Sequence, residues 1–134
     1  MILIFCTDKN GGLYFNNRRQ SSDKLVYKRI KEITADKKLY TGSYSYQILE
    51  QNNIECLVEN NVSLLLDEDV YYFCEITDVN SLCNKCDKII IYNWNRDYPY
   101  DIKLDKSMFN FIVESEFDFE GNSHDKITET IYSK

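Results

Sequence analysis

Cys83-x-x-Cys86 is the spacing in this chain most suited to chemistry, since two thiolates so placed supply half of a tetrahedral zinc site. A full site needs further ligands, and Cys74 is the nearest additional thiol. The competing reading is a pair of small buried thiols. Redox work is disfavoured, because such a motif should open a helix and here it closes one. The single histidine, His124, stands beside Asp125 in a turn and reads as an exposed loop residue, with no partner for general-base work. Asp23 can serve as a general acid or substrate clamp, but a helix N-terminal carboxylate facing the macrodipole is the preferred reading. Arg18-Arg19 offers two guanidinium forks for a phosphate or carboxylate, and a solvated loop pair is the simpler alternative. Tyr98-Pro-Tyr100, with Trp94 nearby and Asp97 and Asp101 on either side, has the composition of an interface anchor with an acidic rim. A tyrosine-rich surface explains the same residues equally well.

The elements that must position these groups follow from hydrophobic periodicity. Ile2 to Cys6 is a continuous apolar run, fit for a strand buried on both faces. Asp8 to Gly12 is turn chemistry, and Asn16 to Ser21 a polar loop. Ser22 is placed to cap a helix in which Leu25, Val26, Ile30 and Ile33 form one apolar stripe. Lys38 to Thr41 reads as a strand and Ser43 to Glu50 as a short helix. Ile54 to Val58, Val62 to Leu66, Val70 to Ile76 and Lys88 to Trp94 read as strands, and Asp78 to Lys85 as a short helix. Phe109 to Phe117 and Ile127 to Tyr132 flank Gly121-Asn122 as a closing hairpin. Strands alternating with helices predict an α/β chain with a mostly parallel central sheet, flanked by short helices and ended by an antiparallel hairpin.

Composition narrows the partners. With 134 residues the expectation is a single domain spanning 1–134. The net charge is −6, with no block of lysine or arginine, which disfavours direct binding of nucleic acid and suits a protein partner with a basic surface. No apolar run approaches the roughly 20 residues that span a bilayer. Five cysteines in a chain without a leader pattern imply reduced thiols and a cytoplasmic location.

Several segments resemble the dihydrofolate reductase family in order and spacing. Asp8-Lys-Asn-Gly11 resembles its first turn, and Asp23-Lys-Leu-Val-Tyr-Lys-Arg-Ile30 its first helix, with Asp23 at the position of the substrate-binding carboxylate. Gly42-Ser-Tyr-Ser-Tyr46, Cys86-Asp-Lys-Ile-Ile-Ile91 and Asp97-Tyr-Pro-Tyr-Asp101 resemble later motifs. The ligand-holding residues differ. Asn17-Arg-Arg-Gln-Ser21 replaces the Leu-Pro-Trp loop, and Ser43 and Ser45 stand for the Arg and Thr that contact cofactor phosphates. Gln51-Asn52-Asn53 lacks the Arg that clamps folate glutamate, Cys74-Glu75 replaces the Gly-Gly pair, and Tyr92 replaces the Thr that bonds the catalytic carboxylate.

The resemblance thus implies a dihydrofolate-reductase-like fold that has lost its chemistry. The expected function is a catalytically inactive binding protein, of the kind phages and mobile elements direct against host defence proteins. An anti-CRISPR protein acting on an RNA-guided nuclease leads that class. The alternatives are a divergent NADPH-dependent reductase of the dihydrofolate reductase or RibD type, and a phage structural component. No cofactor is expected, with zinc at Cys83, Cys86 and Cys74 as the alternative. A monomer or homodimer is expected, with Tyr98, Tyr100, Asp97, Asp101 and Trp94 as candidate partner-binding residues.

Overall fold

In the computed structural model, which describes residues 1–134 except Phe109 and the side chain of Met108, the opening apolar run becomes β1 (Ile2–Thr7). Leu3 and Phe5 pack into one core cluster and Ile4 into a second on the opposite face. Both faces are therefore dry, which explains the unbroken apolar run. A hairpin follows, β2 (Gly12–Phe15) with β3 (Arg18–Arg19). It corrects the expectation of a loop from Asn16 to Ser21. Asn16 and Asn17 both hold positive φ, 52° and 55°, the backbone of a two-residue turn that matches the strand twist.

Helix α1 (Lys24–Ile33) turns Val26, Tyr27 and Ile30 into the second cluster, and its N-cap is Asp23 rather than Ser22. β4 (Leu39–Thr41), α2 (Ser43–Gln51), β5 (Leu57–Val58) and β6 (Tyr71–Phe73) come next. The expected strand at 62–66 is instead a 3-10 turn, Val62–Leu65. Val62 and Leu65, three apart, enter the same core cluster, which one tight turn achieves and an alternating strand does not. The expected helix at 78–85 is likewise two 3-10 turns, Val79–Ser81 and Cys83–Lys85. Asp78 accepts from the Asn80 amide at 3.1 Å and tightens the first of them.

β7 (Lys88–Asn93), β8 (Ile102–Lys103), β9 (Ile112–Phe119) and β10 (Ile127–Ser133) complete the chain. The expected strand start at Phe109 lies outside the described residues. The main sheet runs β5-β4-β6-β1-β7-β10-β9, and β3-β2-β8 form a small second sheet. From β5 to β7 every pairing is parallel; β10 and β9 close the sheet antiparallel. The predicted α/β class and its closing hairpin are observed. Helices α1 and α2 cover one face, and the 3-10 turns pack on the other.

Candidate functional site

The carboxyl ends of parallel strands are where an open α/β sheet holds its ligands. Here β1 ends at Cys6 and Thr7, and β6 is followed by Cys74 and Glu75. Hairpin β2–β3 folds over that edge and delivers Arg19. Its Nε and a terminal nitrogen donate to Glu75 at 2.8 and 2.9 Å, a two-pronged ion pair. The Glu75 side chain is 6% exposed and that of Arg19 26%. The Arg19 guanidinium lies over the Tyr44 ring at 4.7 Å, and its backbone amide donates to the Tyr44 hydroxyl at 3.0 Å. Arg19 is therefore a structural bolt between the hairpin, β6 and α2, while Arg18 is exposed as a solvated residue should be.

Under the bolt, Cys6, Leu13, Arg19, Gln20, Ser21, Cys74, Glu75 and Trp94 line a cavity of about 10 Å³. That is room for one water at most. Small-molecule pockets run to roughly 300–1,000 Å³. Two of the lining side chains hold a buried polar atom without a partner among the described residues, Gln20 Oε1 and Trp94 Nε1.

Asp23 anchors the other half of the site. Its Oδ1 accepts from the amides of Leu25 and Asn122, both at 2.9 Å. Its Oδ2 accepts from the Ser123 amide at 2.9 Å and faces His124 Nδ1 at 2.9 Å. Burial pushes the carboxyl up, but the amides of Asn122 and Ser123, then His124 and the Leu25 amide, outweigh it and hold Asp23 well below the usual carboxylate range. An ionised Asp23 only accepts, so in the neutral imidazole Nδ1 carries the proton. Nε2 then accepts from Tyr98 and Ser21, whose hydroxyl oxygens lie 2.9 and 3.1 Å away. Trp94 stacks on the ring at 4.7 Å.

His124 is thus 3% exposed, which corrects its reading as an exposed loop residue. Gly121 and Asn122 make the turn that folds it inward, a contact across 101 positions that no local pattern signals. Ser21, His124 and Asp23 stand in the hydrogen-bond order of a nucleophile, base and orienting carboxylate. Tyr98 shares the same Nε2 lone pair at the shorter distance, and the adjoining space is the one-water cavity. What the network visibly does is fasten the β9–β10 hairpin turn to the start of α1. A methyl group on Gly121 would fall 2.5 Å from Asp23 Oδ2 and 2.9 Å from the His124 carbonyl oxygen. Gly121→Ala is therefore expected to cost about 1–3 kcal/mol of stability, as overpacking does, read from urea denaturation.

A second latch ties α1 to β10. Arg29 on α1 donates to the 2%-exposed Glu129 at 2.7 Å, and the Tyr92 hydroxyl donates to the same carboxylate at 2.8 Å. At the start of α2, the amide and hydroxyl of Ser43 both donate to Asn60 Oδ1, at 2.9 and 3.0 Å. The first amide of this helix terminus is therefore already taken by a side-chain carbonyl.

The candidate partner-binding residues divide. Trp94 is 2% exposed beneath His124, so it offers no surface anchor. Tyr98 points inward to His124, and its amide donates to buried Asp8 at 3.2 Å. Tyr100 is 38% exposed, with its ring over Gly12, where a Cβ would meet it at 2.6 Å. Asp97 pairs with Lys9 and Asn10, and Asp101 accepts from the Asn16 amide, so both spend their charge on neighbouring turns. Cys74, Cys83 and Cys86 all share the first core cluster, each 2% exposed or less. Burial pushes the Cys83 thiol up to about 12 and Cys86 up to about 11. Among the described residues no group of three or more Cys, His, Asp or Glu is arranged to hold a metal ion. No helix among the described residues is long and apolar enough to cross a membrane.

No family model matches this chain, and no curated protein matches it by sequence. In structure it is similar to a dihydrofolate reductase from Enterococcus faecalis complexed with NADP(H) and RAB-propyl, at a TM-score of 0.64 and 15% identity. The likeness covers 99% of this chain and 95% of that one. The fold is therefore dihydrofolate-reductase-like.

Proposed function

We propose that this chain is a catalytically inactive binding protein on a dihydrofolate-reductase-like scaffold, its ligand cleft filled by its own side chains. The observation that carries this reading is the Arg19–Glu75 ion pair. It sits at the carboxyl end of β6, where the resemblance puts the Gly-Gly pair that lets a dinucleotide approach. A buried carboxylate there repels pyrophosphate, and its arginine partner is unavailable to neutralise one. The Ser43–Asn60 contacts and the cavity of about 10 Å³ support the same reading. The residues present do not fit a nicotinamide dinucleotide.

The partner in this reading is a protein with a basic surface, favoured by the net charge of −6. An RNA-guided nuclease, whose nucleic-acid channel is broad and basic, is such a surface. The chain would then act as an inhibitor of a host defence protein, encoded by a phage or mobile element. Its small size and acidic charge support that assignment.

Titration with NADPH tests the closed cleft. Trp94 borders the cavity, so its emission reports occupancy. No saturable change is expected through the micromolar range, and micromolar binding would overturn the proposal in favour of a divergent reductase.

A further inference from the structure

We propose that the outer edge of β9 is a docking strand for an extended partner segment in which apolar residues alternate with lysine or arginine. The proposal names a surface for the binding function inferred above and rests on that reading for its biological sense. β9 is the last strand of the main sheet and, among the described residues, pairs with β10 alone. The opposite edge is the two-residue strand β5, too short to template another chain, whereas β9 runs for eight residues. Seven of those eight are exposed, including Ile112 at 67%, Val113 at 55% and Phe117 at 49%.

Charge selects the occupant. Between residues 107 and 125 there are five carboxylates and no lysine or arginine, close to the whole net charge of the chain. On β9 itself, Glu116 lies across from Thr130 and Asp118 across from Thr128, on one face of the sheet. Phe117 and Phe119, opposite Glu129 and Ile127, stack on the other face at 5.7 Å. Alternation along the strand makes this a two-sided template. A guest strand meets carboxylates on one face and phenyl rings on the other, so it must alternate basic and apolar residues.

A second copy is a poor guest. Antiparallel pairing of β9 with itself keeps each face on its own side of the sheet, and so sets Glu116 and Asp118 against Glu116 and Asp118. Like charges directly opposed are destabilising. A ladder shift leaves Glu114 as an unopposed bulge, where it pairs with Lys88 at 3.1 Å. That bulge ends the regular edge, so the guest should lie along Ser115 to Phe119.

The test uses the whole chain and a capped peptide of alternating valine and lysine, as long as β9, followed by fluorescence anisotropy. Saturable binding is expected, with slowed hydrogen exchange in β9 and not in β5. Methylating alternate peptide amides keeps every charge but removes the ladder donors, and should weaken binding at least about tenfold. A valine–glutamate peptide should not bind, and Glu116→Lys with Asp118→Lys should lose the valine–lysine peptide. Equal binding of the methylated peptide would mean charge attraction alone and would overturn the proposal. So would absence of binding, or a stable dimer of the chain alone with β9 already protected. The readout is independent of the closed cleft, since NADPH binding would leave the peptide result intact, and peptide failure would leave the cleft result intact.

Discussion

Arg19→Met is expected to lower the free energy of unfolding by about 2–3 kcal/mol, just under the roughly 3–5 kcal/mol for breaking a fully buried ion pair, since Arg19 is 26% exposed. The loss comes from Glu75, whose side chain is 6% exposed and would be left buried without a partner. The stacking of Arg19 on Tyr44 at 4.7 Å would go too, at about 0.5–1 kcal/mol. Glu75→Met should cost less, about 1–2 kcal/mol, because Arg19 is already 26% exposed and can swing into water. In the double variant Arg19→Met, Glu75→Met neither charge is stranded. Its stability should return to within about 1 kcal/mol of wild type, since apolar replacements for buried pairs are often neutral. Urea denaturation of all four proteins gives these values and the coupling between the sites. If Arg19→Met cost no more than Glu75→Met, the pair would be an ordinary surface contact, and the bolt over the cleft would be misread.

The bolt also shows how far sequence reasoning reaches in this chain. Periodicity suffices for β1, α1, β7 and β10, because each buries an apolar pattern whose period matches its own geometry. It fails at 62–66 and 78–85, where apolar residues three apart serve tight turns rather than strands or helices. The resemblance sets Glu75 at a glycine position and Arg18-Arg19 in a lid segment. Their pairing is not legible in the sequence, because Arg19 and Glu75 are 56 positions apart and only the tertiary fold brings them together. Burying a carboxylate strongly favours a positive partner within reach, so Glu75 beside a buried strand was itself a signal to look for one. For His124 the misleading cue was its setting in a polar turn. Its aromatic neighbours Trp94 and Tyr98 come from the connection after β7 and its acceptor Asp23 from the cap of α1. No period links them.

Removing Asp23 is expected to cost more than breaking the Arg19–Glu75 pair. Asp23→Ala strips the N-cap from α1, worth about 1 kcal/mol. It also strands the amides of Asn122 and Ser123 and the His124 Nδ1–H, so that the total loss should reach about 4 kcal/mol. Asp23→Asn separates the two roles. Its carbonyl can still accept from Leu25 and Asn122, but its amide group then faces the Ser123 and His124 donors, so the loss should be about 2–3 kcal/mol. The pH dependence identifies the charge. Asp23 is held well below the usual carboxylate range when folded, against about 3.9 when unfolded. A carboxyl depressed on folding contributes fully above its unfolded pKa and loses that contribution as pH falls toward the folded one. The stability gap between wild type and Asp23→Ala, measured in urea from pH 5 downward, should narrow steadily below about pH 4. Subtracting the variant cancels the other carboxylates, which titrate in both proteins. A gap that stayed constant into strong acid would show that Asp23 works as a neutral cap, and that the ionised Asp23–His124 contact contributes nothing to closing the hairpin turn over the cleft.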